Sequence, residues 1–295
     1  MRHGVLILPE HRWSLARRRW TLAEELGYDH AWTYDHLMWR WFSDRPWFAA
    51  VPTLAAAAAV TSRIGLGTLV AGPDVRHPVD FAKEMTALDD ISEGRALCGV
   101  GAGAGGHDAV IRGAAPLSRR RRTERFEEFT TLLDRLLREY HTDFEGAWYT
   151  ARNAVVRPAC LAEPRVPLAV AAAGPRGMAL AARHADIWVT SGPPNVFEPE
   201  RYDRLLPLLR EQLAAVDKAC AAQGRDPASL RRLLLTDAAV GGVTESVASY
   251  QDAAGVLGDL GFTDLVVHWP RPDFPFRGKE EVLLGFAAAE WGGTP

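Results

Sequence analysis

Apolar residues in this chain come in short runs that alternate with longer segments repeating at helical spacing. The short runs fall at residues 4–8, 29–34, 64–71, 96–100, 167–171, 185–190, 231–235 and 262–267, and turn-forming or polar residues bound them. Helical spacing covers 15–26, 51–60, 78–91, 119–139, 176–184, 198–223, 245–258 and 279–290. Ser14 is placed to cap the first helix, Pro78 opens the third, and Thr244 with Glu245 can start the seventh. Residues 140–165, with Gly146, Pro158 and Pro164, read as irregular with room for a short hairpin. Strict alternation of strand and helix demands parallel strands joined by right-handed crossovers. Eight such units predict a single α/β domain over residues 1–295, a (β/α)8 TIM barrel. An open doubly wound sheet is the alternative, although it usually needs fewer strands at this length.

Composition narrows the partners. No shift in it marks a linker, and 47% hydrophobic with 24% charged residues suits a sizeable core. A net charge of -3 gives no reason to expect nucleic acid or an anionic membrane. The run Arg119-Arg120-Arg121-Arg122 is followed by Glu124, Glu127 and Glu128, so it reads as a solvated, salt-bridged helix face. Cys98, Cys160 and Cys220 form no CxxC pair and read as thiols of a reducing compartment. No signal peptide is recognised, and no apolar run approaches the ~20 residues of a membrane span. The expectation is a soluble cytoplasmic protein.

In such a barrel the chemistry sits where strands end at their C-termini. Those ends carry Glu10 with His11, Asp35 with His36, Ala71 with Gly72, the glycine-rich 101–106, the small residues 172–175, Ser191 with Gly192, Thr236 with Asp237, and His268 with Trp269. The second strand delivers Asp35 and His36 directly into a loop holding Trp39, Trp41, Phe42, Trp47 and Phe48, too many large rings for an ordinary solvated loop. Imidazole titrates near neutrality, which makes His36 a candidate acid–base group; a structural histidine beside a helix cap is the alternative. His11 and His268 face the same mouth. No histidine–carboxylate spacing matches a metal site, so no metal is expected. Gly101-x-Gly103-x-x-Gly106 formally satisfies the dinucleotide fingerprint, but it follows the fourth strand and no helix is expected to open from it. It reads either as a bed for a flat ring or phosphate or as a flexible loop. Gly174-Pro175-Arg176 runs into a helix N-terminus suited to phosphate, with Arg176 adding charge or pointing to solvent.

Several motifs in order resemble the luciferase-like flavin and deazaflavin oxidoreductases. They are residues 23–29 with Trp32 and Asp35-His36, then 63–68, Arg76-His77-Pro78, 88–95, 99–103, 172–177 and Ala185-Asp186-Ile187-Trp188. The resemblance spans essentially the whole chain and implies the same barrel. It further implies a flavin-type cofactor at the mouth, either FMN or coenzyme F420, with the deazaflavin branch more similar. His36 would then stand at the reacting face and Asp35 would touch the ring. A cis peptide at Leu69-Val70 would lie behind the ring. Ala102, Gly103, Ala104, Ala172, Ala173, Gly174, Pro175 and Arg176 would line the ribityl and phosphate portion. Homodimers are common in that family.

This sequence departs from the sugar-phosphate dehydrogenases of that branch. Ala104 replaces a glutamate, Arg40 stands where they carry tryptophan, and Ile187 replaces a common glycine. Their substrate is therefore not carried over. The expectation is hydride exchange between F420 and a hydrophobic or aromatic small molecule, such as reduction of a C=C or C=N bond. His36, Glu10 and His11 are the catalytic candidates, with Trp39, Trp41, Trp188, His268 and Trp269 around the substrate. The rivals are an FMN-dependent monooxygenase, a non-catalytic flavin-binding protein, and a phosphate-handling lyase or isomerase.

Overall fold

In the computed structural model, which describes residues 1–39, 42–103, 106–193, 200–236 and 240–291, the alternating pattern becomes a closed barrel. Its strands are β1 (Arg2–Leu6), β2 (His30–Thr33), β3 (Gly65–Thr68), β4 (Ala96–Gly101), β5 (Leu168–Ala171), β6 (Ile187–Thr190), β7 (Arg231–Leu235) and β8 (Asp264–His268). Each is parallel to its sequence neighbours, and β8 closes on β1, as the predicted crossovers require. All eight predicted strands are present.

The helices among the described residues are α1 (Trp13–Glu25), α2 (Ala50–Ala58), α3 (Pro78–Ile91), α4 (His107–Ile111), α5 (Arg119–Arg138), α6 (Pro175–His184), α7 (Leu206–Ala222), α8 (Val247–Leu260) and α9 (Glu280–Trp291). Four local readings need correction. Helix α1 begins before Ser14, without a side-chain cap. Ser246, rather than Thr244 or Glu245, caps α8, its Oγ accepting the Ser249 N–H at 3.0 Å. The stretch expected as one helix from 198 carries instead a two-residue strand, Glu200–Arg201, paired with Val240–Gly241, and then a 3-10 turn, Tyr202–Leu205, before α7. Finally, α4 does open directly from Gly106, whose φ of 67° lies in the left-handed region that glycine tolerates. Helical spacing is invisible in a helix this short. The expected hairpin pairs Thr142–Glu145 with Thr150–Ala154.

Period-two alternation sorts each strand into two layers. Leu6, Trp32, Ile187, Val189, Leu233 and Val266 fill the barrel interior. Val5, Ala31, Trp188, Leu234, Leu265 and Val267 face the surrounding helices. At the opposite end from the mouth, the Glu24 carboxylate accepts the N–H groups of Ser62, Arg63 and Ile64 at 2.9, 2.6 and 2.9 Å. That ties the end of α1 to the entry of β3. No helix among the described residues is long and apolar enough to cross a membrane.

Candidate functional site

The mouth divides into two halves because of which strands are neighbours. Strands β8, β1 and β2 deliver titratable and aromatic groups, whereas β3, β4 and β5 deliver small residues.

On the titratable half, His36 Nδ1 lies 2.7 Å from Asp108 Oδ2, and the Leu37 N–H donates to Asp108 Oδ1 at 2.8 Å. Burial alone would lift the Asp108 carboxyl. The His36 hydrogen bond and charge and the Leu37 N–H outweigh it and hold the group below the ordinary carboxylate value. Held this way, Nδ1 carries its hydrogen toward Asp108 and Nε2 becomes the exchangeable position. The His36 side chain keeps 26% of its surface exposed, and no partner for Nε2 is found among the described residues. Beside it, Tyr34 Oη lies 2.8 Å from His268 Nε2, while His268 Nδ1 faces the Thr236 carbonyl at 2.9 Å. A carbonyl only accepts, so Nδ1 donates to it, and Nε2 of the neutral ring accepts the Tyr34 hydroxyl hydrogen.

Aromatic rings wall this pair. Phe276 stacks on His268 with centroids 3.4 Å apart, and Trp39 stacks on Phe276 at 5.8 Å. Trp47 and Phe42 pack against Trp39 at 5.8 and 5.2 Å. Buried Arg271 pins the group, with its guanidinium 4.3 Å from the Phe42 ring and its Nη1 donating to the Pro275 carbonyl at 3.2 Å. Arg271 Nε also donates to Glu10 Oε1 at 2.7 Å, so that carboxylate is engaged in an ion pair. His11 lies 3.8 Å from Glu10, and burial, then Arg19, pushes its imidazole below the ordinary value.

The small-residue half is closely packed. The Leu69-Val70 peptide is cis, at the position the resemblance indicated. A Cβ added to Gly101 would meet Val70 Cγ2 at 2.5 Å, and one added to Gly99 would meet the Thr68 carbonyl at 1.9 Å. Only glycine lets β3 and β4 approach this closely. Gly103 adopts φ 77°, and beyond β5 Gly174 and Pro175 start α6 with its N–H groups toward the mouth. Ala102 and Ala172 are half-buried at the two strand ends, and Ala173 follows at the rim. Asp35 sits between the halves, buried, and both its oxygens are gripped by Arg76 at 2.7 and 2.8 Å. Arg76 is itself held by Glu84.

Two substrate-wall expectations are corrected. Trp188 points outward from β6, is fully buried against Phe262, and donates to the Ala172 carbonyl at 2.8 Å. Trp269 likewise packs in the outer layer, its Nε1 3.2 Å from Glu280. Strand alternation decides both: the inward neighbours are Ile187, Val189 and His268. Arg176 is 53% exposed and paired with Glu127. Trp41, Ala104 and Asp237 lie outside the described residues. No local pattern singles out Tyr34, Asp108, Arg271 or Phe276 as site residues. Asp108 offers only a positional signal, as the first carboxylate after the strand-four glycines, while Arg271 and Phe276 gain meaning only from loop contacts.

Among known proteins, the family model described as luciferase-like monooxygenase matches residues 1–260. An F420-dependent glucose-6-phosphate dehydrogenase of Beutenbergia cavernae is 32% identical, over 91% of this chain and 92% of that protein. An F420-dependent secondary alcohol dehydrogenase, solved with an F420–acetone adduct, superposes with TM-score 0.76 at 16% identity, over 90% of this chain and 92% of that one. A monooxygenase of Streptomyces bottropensis does so with TM-score 0.74 at 21% identity, over 99% of both chains. At these identities the two superpositions establish the shared barrel alone.

Proposed function

The chain belongs to the luciferase-like monooxygenase family, and we propose that within it this protein is a coenzyme F420-dependent oxidoreductase acting on a flat, hydrophobic small molecule. The F420-dependent relative supports the cofactor. The small-residue half of the mouth fits it: strand ends kept narrow by glycine, and a helix N-terminus for a phosphate. Buried polar atoms at the same rim, His107 Nε2 and Arg122 Nε, have no hydrogen-bond partner among the described residues. Leu69, Val70, Ala102, Gly103 and residues 172–175 would hold the ring and ribityl chain, and Asp35, oriented by Arg76, would approach the ring edge.

When bound, F420 supplies or accepts a hydride. The remaining requirement is a proton, given to or taken from the substrate atom next to the hydride-bearing carbon. On this reading His36 Nε2 makes that transfer, supported by the Asp108 contact at Nδ1, which orients the ring. Tyr34 and His268 offer a second hydroxyl–imidazole pair on the same half.

The observation that carries the substrate class is the aromatic wall beside these groups, in which Trp39 stacks on Phe276 while Trp47 and Phe42 pack tilted and edge-on against Trp39. Planar apolar molecules gain most from such surfaces, whereas a sugar phosphate would need cationic donors in their place. Reduction of a conjugated C=C or C=N bond suits this arrangement.

Fluorescence titration of the cofactor-free protein with F420 and with FMN is the first test. Tighter F420 binding is expected; FMN preference with oxygen uptake during turnover would sink the assignment. His36→Ala should then retain F420 binding while turnover falls about 10²-fold or more. Unchanged turnover would remove His36 from the mechanism.

A further inference from the structure

Resting on the F420 reading above, we propose that the first turn of α5 is a docking site for the anionic tail of the cofactor, with Arg119 and Arg122 as its contacts. In sequence the four arginines 119–122 look alike, but the fold separates them. Arg120 is spent on Glu124 at 2.8 Å, four residues on along the same helix. Arg121 lies over the Trp148 ring at 4.5 Å. Nearby, Arg125 pairs with Asp74 and Arg176 with Glu127. Arg119 and Arg122 have no carboxylate partner among the described residues.

Their placement joins the two small-residue turns. Arg122 Nη1 donates to the Gly103 carbonyl at 3.2 Å, and its Nε is buried with no partner among the described residues. Arg119 Nη2 lies 3.6 Å from where a Cβ on Gly174 would stand. The two guanidinium groups therefore flank the rim between the end of β4 and the N-terminus of α6. A ligand whose flat ring lay deep in the mouth would leave it there. F420 carries its negative charge at that far end, as a phosphodiester followed by carboxylates. A guanidinium binds either oxyanion through paired N–H donors, and the α6 N-terminus adds to the attraction. FO, the same deazaflavin with a ribityl chain but no phosphodiester or carboxylates, lacks every group this turn would recognise.

The test titrates cofactor-free wild type, the double variant R119Q/R122Q and the control R120Q with F420 and with FO, at low and high salt. The double variant should weaken F420 binding about tenfold at low salt, the effect shrinking as salt screens the contact. FO affinity should stay within about twofold, and R120Q should alter neither ligand by more than about twofold, as an exposed ion pair predicts. Unchanged F420 affinity in the double variant would overturn the inference. So would a parallel loss of FO, which would mark distortion of the Gly103 turn rather than loss of a tail contact. Wild type that bound neither ligand would overturn the F420 reading itself, and the docking site with it.

Discussion

Strands β2 and β8 meet twice across β1, four residues apart, with opposite results. At the lower end His30 Nε2 pairs with Asp264 Oδ1 at 2.9 Å; at the mouth Tyr34 Oη meets His268 Nε2 at 2.8 Å. Both pairs point into the barrel, because 30, 32 and 34 share one face, as do 264, 266 and 268. Below, every bonding position is closed. Trp32 Nε1 donates to His30 Nδ1 at 2.7 Å, and Asp264 also receives Arg231 and the Thr263 hydroxyl. Burial works against the Asp264 charge, yet the His30 and Arg231 contacts hold its carboxyl far below the ordinary range. Gly4 makes the space, since a Cβ there would meet His30 Nδ1 at 2.0 Å. Above, the carboxylate is replaced by an imidazole, and hydroxyl and ring can exchange a proton without creating an isolated charge. One end of the barrel interior holds a closed ionic network, and the other a hydroxyl–imidazole pair on the face where this architecture carries its chemistry.

The sharpest way to break this comparison is Asp264→Ala. It strands His30 and Arg231 in a buried site and should cost about 3–5 kcal/mol in urea unfolding. A loss no larger than that of a surface substitution would mean that the lower network is not structural.

Next in size is the acid response of the lower end. Burial, then the N-terminal ammonium, pushes His3 down to about 4 from the ordinary 6.5. In that window the unfolded chain binds a proton that the folded chain refuses. Stability is therefore whole above pH 6.5 and is lost as pH falls toward about 4, by on the order of 2–3 kcal/mol. Urea midpoints between pH 7 and 4 would show it, and His3→Gln should flatten the curve.

The smallest stability effect belongs to the mouth. Tyr34→Phe removes one hydroxyl and should cost about 1 kcal/mol. Its signature should lie in turnover, with a changed pH profile at unchanged F420 affinity. A variant matching wild type at every pH would confine Tyr34 to packing.

Much of this molecule was legible from local pattern. The barrel followed from alternation alone, because eight strand–helix repeats leave few other ways to bury their apolar faces. Asp35, His36 and the small-residue turns were found because strand C-termini in a barrel converge on one face. What each side chain does there was not legible. Asp35 and Glu10 look like equally available carboxylates in sequence, yet Arg76 takes one and Arg271 the other. Trp188 and Trp269 look like Trp39, but a single step in strand register turns each outward, the second against α9.

The chain's own order of residues thus determined the architecture, the face that carries chemistry and the family resemblance, all of which rest on short-range periodicity and turn preference. Tertiary structure alone decided the pairings: His36 with Asp108, Tyr34 with His268, and which two of four adjacent arginines have neither a carboxylate nor an aromatic partner among the described residues. Those depend on contacts between residues far apart in the chain. They are set by where the closed barrel brings its loops together, and no local preference encodes that.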